Sequence, residues 1–424
     1  MDGLRLNFMT LDGGFEIAVA PTTDDSKRFF IDLLSCFGEL ENNQLIVRSE
    51  QKATGELKRK VSNFTKFHSF SNPRLNRLSS IISNLAEGEY FLILEQIPAD
   101  TATKHHLEVY LEMLNKTNGE LTPEEFRDEI NSRAVLFGEL LGIYNIHLPR
   151  NDRRTIIGNA KKDDRKCRFC GGYLKDGATF SKVAHAIPEA LGNKNLILAD
   201  ECDECNKYFG DNIEPNLIEY FDVYRAFLGV KGKNGAPTIS YKNGKILHQD
   251  GMAVVVAEKI ETTPESDLIV RFKKSKSFTP VKLYKALCKI TLSTLSEQDL
   301  HGLSATLRWL RYEDSLPGNL PRVAVNVING AFSKAPQITN YIRKTENSNL
   351  PHIVSEFKLG SFVYVYIVPF STKDTVDFSD PSAFDYFWKQ LNHYNQVPGW
   401  RFDKFDGAGE VSVNESIRMI RSNK

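Results

Sequence analysis

Four cysteines in two pairs constrain this chain more than any other feature. Cys167 and Cys170 form one Cys-x-x-Cys pair, and Cys202 and Cys205 form a second. Four thiolates at this spacing can close a tetrahedral zinc site, which stabilises a segment too small to bury a core of its own. A redox-active pair is the alternative, but two pairs around one short segment favour a structural metal. We therefore predict a zinc-organised module at residues 167–228.

The composition is that of a folded chain with two or three domains. The chain has 424 residues, of which 41% are hydrophobic, and its 54 Lys and Arg residues balance 54 Asp and Glu residues. Because the total charge is neutral, any surface for nucleic acid must be local. No apolar run is long enough to cross a bilayer, and the first residues do not resemble a signal peptide. These observations favour a cytoplasmic location.

Patterning along the chain predicts an α+β architecture in four segments. Residues 1–149 are expected to form an N-terminal α+β domain for recognition of a partner, ligand or nucleic acid. Residues 150–166 are polar and highly charged and are expected to be a linker. The zinc-knuckle module occupies residues 167–228, and residues 229–424 are expected to form a second α+β domain.

Local patterns in the flanking domains predict three further elements. Thr122 and Glu125 match a capping box, which predicts a helix that runs to about residue 143. Residues 61–70, VSNFTKFHSF, alternate in a way typical of a strand. Residues 280–295 carry an apolar face at helical spacing with lysines on the opposite face, which predicts an amphipathic helix.

Three residues distinguish the module from a simple zinc ribbon. They are His185, Asn206 and Glu214. The stretch ATFSKVAHAIP can form a short strand ending at His185, and CDECNKYFG begins a helix that contains Asn206. The order Cys-x-x-Cys, His-x-x-Pro and Cys-x-x-Cys-Asn resembles the HNH endonucleases, which have the ββα-metal fold, and in particular their variants with zinc knuckles. The resemblance is carried by AHAIPEALGN, CDECNKYFG and Ile213-Glu214, and it covers about residues 167–220.

The resemblance implies a metal-dependent phosphodiesterase that uses two ions. The cysteines would hold structural Zn²⁺, while a catalytic Mg²⁺ or Mn²⁺ would stabilise the phosphate and its leaving oxygen. By resemblance, His185 is the general base and Asn206 orients the base or its loop. Glu214 falls where the family has its last motif position, so it is the implied ligand of the catalytic ion, and His185 is the second implied ligand.

One position departs from the family pattern. Many HNH enzymes carry an Asp, Glu or His ligand directly before the general base, where this chain has Ala184. Other oxygen donors that could replace it are Glu214, Asn212, Asp211, Glu201 and Asp200. An inactive nuclease is the alternative, and in that case His185 is a core residue and Asn206 merely caps a turn.

Basic residues flank the module and are candidate phosphate contacts. We expect Arg165, Lys166, Arg168 and Lys194 to bind the nucleic-acid backbone. Further basic residues on the N-terminal side are Arg150, Arg153, Arg154, Lys161 and Lys162. A solvated linker is the alternative interpretation, since three aspartates dilute this charge.

Together these patterns predict an HNH nuclease module between two α+β domains. The expected substrate is nucleic acid, preferably duplex DNA, and no membrane partner is expected. Chains of this appearance resemble effectors of bacterial anti-phage or restriction systems, which implies control by a regulatory protein or an activating ligand and allows a homo-oligomer. An inactive zinc-knuckle scaffold that binds DNA or protein is the second hypothesis, and a ribonuclease is the third.

Overall fold

The computed structural model has an α+β fold, as predicted, in two compact units, Met1–Leu136 and Phe137–Lys424. It describes residues 4–11, 13–19, 22–42, 44–70, 72–73, 75–98, 101–149, 151, 154–159, 161–233, 235–263, 267–272, 277–312, 318–328, 335–346, 349–412 and 415–419. Across these ranges, no helix is long and apolar enough to cross a membrane.

The N-terminal unit packs helices against an antiparallel sheet of order β2-β1-β6-β5, with a separate β3-β4 hairpin. Its strands are Leu4–Thr10 (β1), Gly13–Val19 (β2), Gly38–Glu41 (β3), Gln44–Val47 (β4), Glu50–Lys52 (β5) and Tyr90–Leu94 (β6). Its helices are Asp24–Phe37 (α1), Gly55–His68 (α2), Leu75–Asn84 (α3), Thr101–Lys116 (α4) and Pro123–Ile143 (α5), the last of which continues past Leu136.

The predicted capping box is confirmed at the start of α5. The Glu125 amide donates to Thr122 Oγ1 at 3.2 Å, and the Thr122 amide donates to Glu125 Oε2 at 2.9 Å. The strand predicted at residues 61–70 is wrong, because Val61 and Phe64 lie on the buried face of α2 at helical spacing. The apolar residues of this stretch recur every three positions, at 61, 64, 67 and 70, which is closer to the spacing of a helix than to the alternation of a strand.

The C-terminal unit is built around a six-stranded antiparallel sheet of order β20-β16-β19-β18-β17-β7. The strands of the unit are Tyr144–His147 (β7), Thr155–Ile157 (β8), Ala184–His185 (β9), Leu196–Leu198 (β10), Ile239–Tyr241 (β11), Gly244–Gln249 (β12), Met252–Ala257 (β13), Glu261–Thr262 (β14), Leu268–Phe272 (β15), Val323–Val327 (β16), Gln337–Arg343 (β17), Ile353–Leu359 (β18), Phe362–Ile367 (β19), Arg401–Asp403 (β20) and Glu415–Met419 (β21). Its helices are Asp203–Asn212 (α6), Glu214–Leu228 (α7), Pro280–Thr294 (α8), Ser304–Tyr312 (α9), Pro381–Lys389 (α10) and Asn392–Asn395 (α11).

Helix α8 is the central element of this unit. It matches the predicted helix at residues 280–295, but two of the three lysines predicted to lie opposite its apolar face are buried as well. Lys285 and Lys289 are 3% and 1% exposed. The helix is covered on more than one side because it contacts α7, α9 and the main sheet. A helical pattern of apolar and charged residues therefore does not identify the exposed face of this helix.

The predicted linker and zinc-knuckle module belong to the C-terminal unit. Within the predicted linker, residues 155–157 form β8, which pairs in parallel with β10 and lies in the same sheet as β9. The module shares one hydrophobic core with α8 and the main sheet. The structure divides the chain into two units after residue 136. The four predicted segments stay a proposal about chain organisation.

Candidate active site and metal centre

The four predicted zinc ligands converge. The sulfur atoms of Cys167, Cys170, Cys202 and Cys205 lie within 4.8 Å of one another, and the Cys170 and Cys202 Sγ atoms are 3.6 Å apart. Tetrahedral zinc with Zn–S bonds of about 2.3 Å places its sulfurs about 3.8 Å apart. The spacing therefore fits zinc. Within the described ranges, no other group of three or more His, Cys, Asp or Glu side chains approaches closely enough to hold a metal.

The two knuckles are shaped by backbone contacts to sulfur. Gly171 has a φ of +75°, in the left-handed region that glycine favours, and this turns the chain after the first cysteine pair. The Cys202 amide donates to Cys167 Sγ at 3.4 Å, and the Cys205 amide donates to Cys202 Sγ at 3.5 Å. Cys202 also caps the N-terminus of α6, whose partial positive charge favours a thiolate.

An arginine that the sequence analysis did not identify also reaches this centre. Arg311, in α9, donates from Nε to Cys205 Sγ at 3.3 Å. Four thiolates around a divalent zinc carry a net negative charge, which a guanidinium partly offsets. Arg311 lies more than one hundred residues beyond Cys205, so no local spacing indicates the contact.

A strand, a second strand and a helix surround His185 in the predicted ββα order. Strand β9 pairs antiparallel with β10, so that His185 lies opposite Ile197, and α6 follows. Asn193 braces the connecting loop, because its Nδ2 donates to the carbonyl oxygens of Ile187 and Leu196 at 2.8 and 3.0 Å. The hairpin thus presents His185 from the end of β9, beside a loop that Asn193 ties to Ile187 and to Leu196 of β10.

The His185 imidazole is half-buried, and nearby charges act on it. Its Nδ1 is buried without a hydrogen-bond partner among the described residues, and its Nε2 lies 3.8 Å from Glu189 Oε2. Burial lowers the pKa of His185, and the charges of Lys289 and Arg154 lower it further, while Glu189 and Glu214 oppose them. The ring is therefore neutral at neutral pH, the form that a general base requires.

A buried lysine lies between the carboxylates of this site. Lys289 Nζ is 2.9 Å from Glu214 Oε1 and 3.3 Å from Glu201 Oε2, and it donates to the His185 carbonyl at 3.0 Å. Burial lowers the pKa of Lys289, but the two carboxylates outweigh that effect and raise it. Burial raises the pKa of Glu201 to about 7. Glu214, the predicted metal ligand, thus already pairs with a cation of the protein.

The other predicted metal donors are engaged elsewhere or are exposed. Ala184 is buried on β9 and offers no ligand atom. Asp200 pairs with Arg168, Asp211 pairs with Lys207, and both Asp211 and Asn212 are exposed. The nearby carboxylate that the sequence analysis overlooked is that of Glu189. Its four-residue spacing from His185 is the signal that could have indicated it.

Asn206 lies in the first turn of α6, next to Cys205, one of the four cysteines that could hold zinc. Its backbone amide donates to the Cys202 carbonyl at 2.9 Å. Its side chain is half-buried, and its amide group has no hydrogen-bond partner among the described residues. No side-chain hydrogen bond among the described residues supports the predicted orienting role of Asn206, which stays a prediction.

The structure separates the four predicted phosphate contacts into two kinds. Arg168 is 3% exposed at its side chain, because it binds Asp200 through two hydrogen bonds of 2.9 and 3.0 Å and donates to the carbonyls of Leu292 and Leu295. This correction gives Arg168 a structural role in place of the predicted phosphate contact. Lys166 and Lys194 are exposed and Arg165 is half-buried; Arg150 and Arg153 lie outside the described residues.

A cavity of about 1050 Å³ lies beside the first knuckle. Lys166 and Arg168 line it together with β8 and the connection between α8 and α9, whereas His185 and Asn206 do not. A phosphate bound by Lys166 in this cavity would therefore not be the one that His185 faces.

Comparison with known proteins assigns this segment to one family. Residues 167–222 match the family model described as HNH endonuclease, which confirms the resemblance for that part of the chain. The match contains all four zinc ligands, His185, Asn206 and Glu214, and it ends before Lys289. No curated protein and no solved structure matches the chain.

Proposed function

We propose that the chain is a metal-dependent endonuclease that hydrolyses phosphodiester bonds, with duplex DNA as its substrate. One observation carries the proposal: a neutral, half-buried His185 stands in a ββα hairpin beside a four-cysteine zinc centre, inside the segment that matches the HNH endonucleases. The proposal extends this family match to an activity and a substrate.

His185 is proposed to act as the general base. Because its Nδ1 is buried, Nε2 is the nitrogen able to take a proton from the attacking water. The gap of 3.8 Å to Glu189 is too long for a hydrogen bond, but the carboxylate is close enough to stabilise the imidazolium that forms. In this scheme Glu189 stabilises the protonated base through its charge, and Asn206 orients the loop as the resemblance implies.

The catalytic Mg²⁺ or Mn²⁺, when bound, would stabilise the charge on the leaving oxygen. Glu189 and Glu214 are the carboxylates proposed to hold it. They do not form a three-ligand group with His185, and the His185 Nε2 that serves as the base cannot bind the ion at the same time. This set is poor in acids, because Ala184 contributes nothing and one Glu214 oxygen faces Lys289. It still fits a hard ion, since Mg²⁺ is commonly held by one or two carboxylates together with substrate phosphate and water.

Substrate binding is assigned to exposed basic residues around the hairpin. Arg154 is exposed and its charge acts on His185, and Lys194 is exposed in the loop between β9 and β10. These cations, with Lys166 and Arg165, are proposed to contact phosphates. The whole chain is proposed to be a cytoplasmic anti-phage or restriction effector, with a regulatory protein or ligand, or a second copy of the chain, controlling its activity.

The experiment is a cleavage assay on a panel of nucleic acids. Zinc-loaded full-length protein is incubated with supercoiled plasmid, single-stranded DNA and RNA, with Mg²⁺ or Mn²⁺, beside His185→Ala. We expect nicking of the plasmid that His185→Ala lowers by about 10²-fold or more. Equal nicking by both proteins would reject His185 as the base, and preferential cleavage of RNA would replace duplex DNA as the substrate.

The second candidate function is an inactive zinc-knuckle scaffold that binds DNA or protein. Ala184 and the pairing of Glu214 with Lys289 favour it, because both reduce the donors left for a catalytic ion. A gel-shift measurement distinguishes the two functions: DNA binding by the wild type without any cleavage in Mg²⁺ or Mn²⁺ supports the scaffold.

A further inference from the structure

We infer that Lys289 is a positioning residue for His185, supplied by α8 from outside the segment that matches the HNH family. The inference rests on the proposed function of His185. The contacts of the ammonium with the protein are nevertheless a property of the fold and can be tested without any cleavage.

Lys289 joins four separate parts of the chain at one atom. Its Nζ contacts the His185 carbonyl on β9 at 3.0 Å, the Glu201 carboxylate before α6 at 3.3 Å and the Glu214 carboxylate at the start of α7 at 2.9 Å. The lysine itself comes from α8. The ββα hairpin and the helix behind it are thereby tied to the core of the C-terminal unit.

The chemistry of the ammonium suits this arrangement. An ammonium group has three protons to donate, and here three oxygen atoms of the protein surround it. The Lys289 and Glu201 side chains are 1% and 0% exposed, so neither charge is compensated by water. A buried charge persists only where it is paired, which fixes the ammonium in one place.

The backbone of His185 needs such an anchor because its own strand is short. Strand β9 consists of two residues, and its pairing with β10 involves only Ala184 and His185. Beyond the strand, the Ala186 amide donates to the Leu196 carbonyl at 3.0 Å. A two-residue strand contributes few ladder bonds, so the bond from Lys289 to the His185 carbonyl is a substantial part of what holds the imidazole in place.

A purely structural role for Lys289 is the competing explanation, in which the lysine only neutralises Glu201 and Glu214. Two variants separate the explanations. Lys285→Met is the matched control, because Lys285 lies one turn earlier on α8, is 3% exposed, and stacks at 5.2 Å over Trp309 instead of reaching His185. The double variant Lys289→Met with Glu201→Gln restores the charge of the cluster but not the bond to the His185 carbonyl.

The test measures amide hydrogen exchange at Ala186 together with single-turnover plasmid cleavage in Mn²⁺. In Lys289→Met we expect Ala186 to exchange about tenfold faster or more and cleavage to slow by a similar factor, as for loss of a charge-assisted hydrogen bond. Lys285→Met should change neither, and the double variant should remain slow. Equal exchange in Lys289→Met and Lys285→Met, or wild-type cleavage in the double variant, would overturn the inference.

Loss of zinc from Lys289→Met, or a wild type that does not cleave, would also have a definite meaning. If Lys289→Met does not retain zinc, Lys289→Arg takes its place, because it keeps the charge but changes the geometry of the donors. Wild-type exchange and cleavage in Lys289→Arg would then overturn a positioning role. If the wild type cleaves nothing while Lys289→Met still accelerates exchange at Ala186 selectively, the proposed function fails and the anchoring of His185 by Lys289 stands.

Discussion

In the four-cysteine cluster, which could hold zinc, four sulfur atoms from two knuckles lie close together, whereas in the His185 site two carboxylates converge on a lysine. Both regions draw on residues 167–222, but Lys289 comes from α8, outside that segment. In the first, the protein supplies a complete and closed ligand set. In the second, the protein supplies the Lys289 ammonium as a cation, and few side-chain donors are left for a metal ion.

The difference indicates what each region is for. A closed tetrahedral set of thiolates holds structure and offers no open position to a substrate. A site with one imidazole, a nearby carboxylate and an internal ammonium cannot complete the coordination of an ion alone. Under the proposed function, substrate phosphate would supply the remaining ligands, which would link metal binding to substrate binding.

The largest effect is expected from removing one sulfur of the four-cysteine cluster. Cys202→Ser should abolish zinc binding and unfold the segment around it, since structural zinc contributes about 10 kcal/mol or more to folding in small sites. Metal analysis and the melting temperature measure this effect. Cys36→Ser is the control, because Cys36 is a buried cysteine of the N-terminal unit. Full zinc content in Cys202→Ser would show that this cysteine is not a ligand.

The next effect compares the carboxylates around the open site. Glu189→Gln should lower the single-turnover rate by about 10- to 100-fold, because it removes the carboxylate beside the imidazole. Asp211→Asn should leave the rate unchanged, since Asp211 is exposed and pairs with Lys207. If Glu214→Gln slows cleavage while Glu189→Gln does not, the result favours Glu214, the predicted ligand, over Glu189.

A smaller effect concerns pH. The pKa of His185 lies below its usual 6.5, so the neutral base persists as pH falls and activity should be lost only as the pH passes below 6.5. Because Glu189 opposes this depression, Glu189→Gln should move the acidic midpoint further down. A pH–rate profile measures both. A midpoint above 6.5 in the wild type would contradict the environment described for the ring.

The smallest effect separates exposed from buried basic residues. Lys194→Ala should weaken DNA binding and reduce the salt dependence of log Kd by about one phosphate contact. Arg168→Ala should instead lower the melting temperature, because it removes the partner of Asp200 and two hydrogen bonds to the carbonyls of Leu292 and Leu295 at the end of α8. An unchanged melting temperature with weaker DNA binding in Arg168→Ala would restore its predicted phosphate role.

The sequence predicted the site where its signals are local. The cysteine spacing identified all four converging sulfurs, and the order around His185 and Asn206 identified the ββα element. In α5, the capping box identified the start of a helix. Each of these features depends on residues that are close in sequence and that need a particular residue type.

The sequence did not predict contacts made at long range. Lys289 follows Glu214 by more than seventy residues, and on α8 it has the spacing of a surface lysine because the pattern does not reveal how many sides of a helix are covered. Arg168 was placed on DNA because its neighbours are basic, although Asp200 and the end of α8 bind it. Contacts between distant segments decide which charges are free, and local composition does not record them.

The most direct measurement is the cleavage rate of zinc-loaded protein as Mn²⁺ is added, with zinc content followed in the same samples. If the two regions hold different ions for different tasks, zinc stays bound throughout, cleavage rises from background only with Mn²⁺, and His185→Ala keeps its zinc but does not respond. Full cleavage without added Mn²⁺, or an equal response in His185→Ala, would contradict that account.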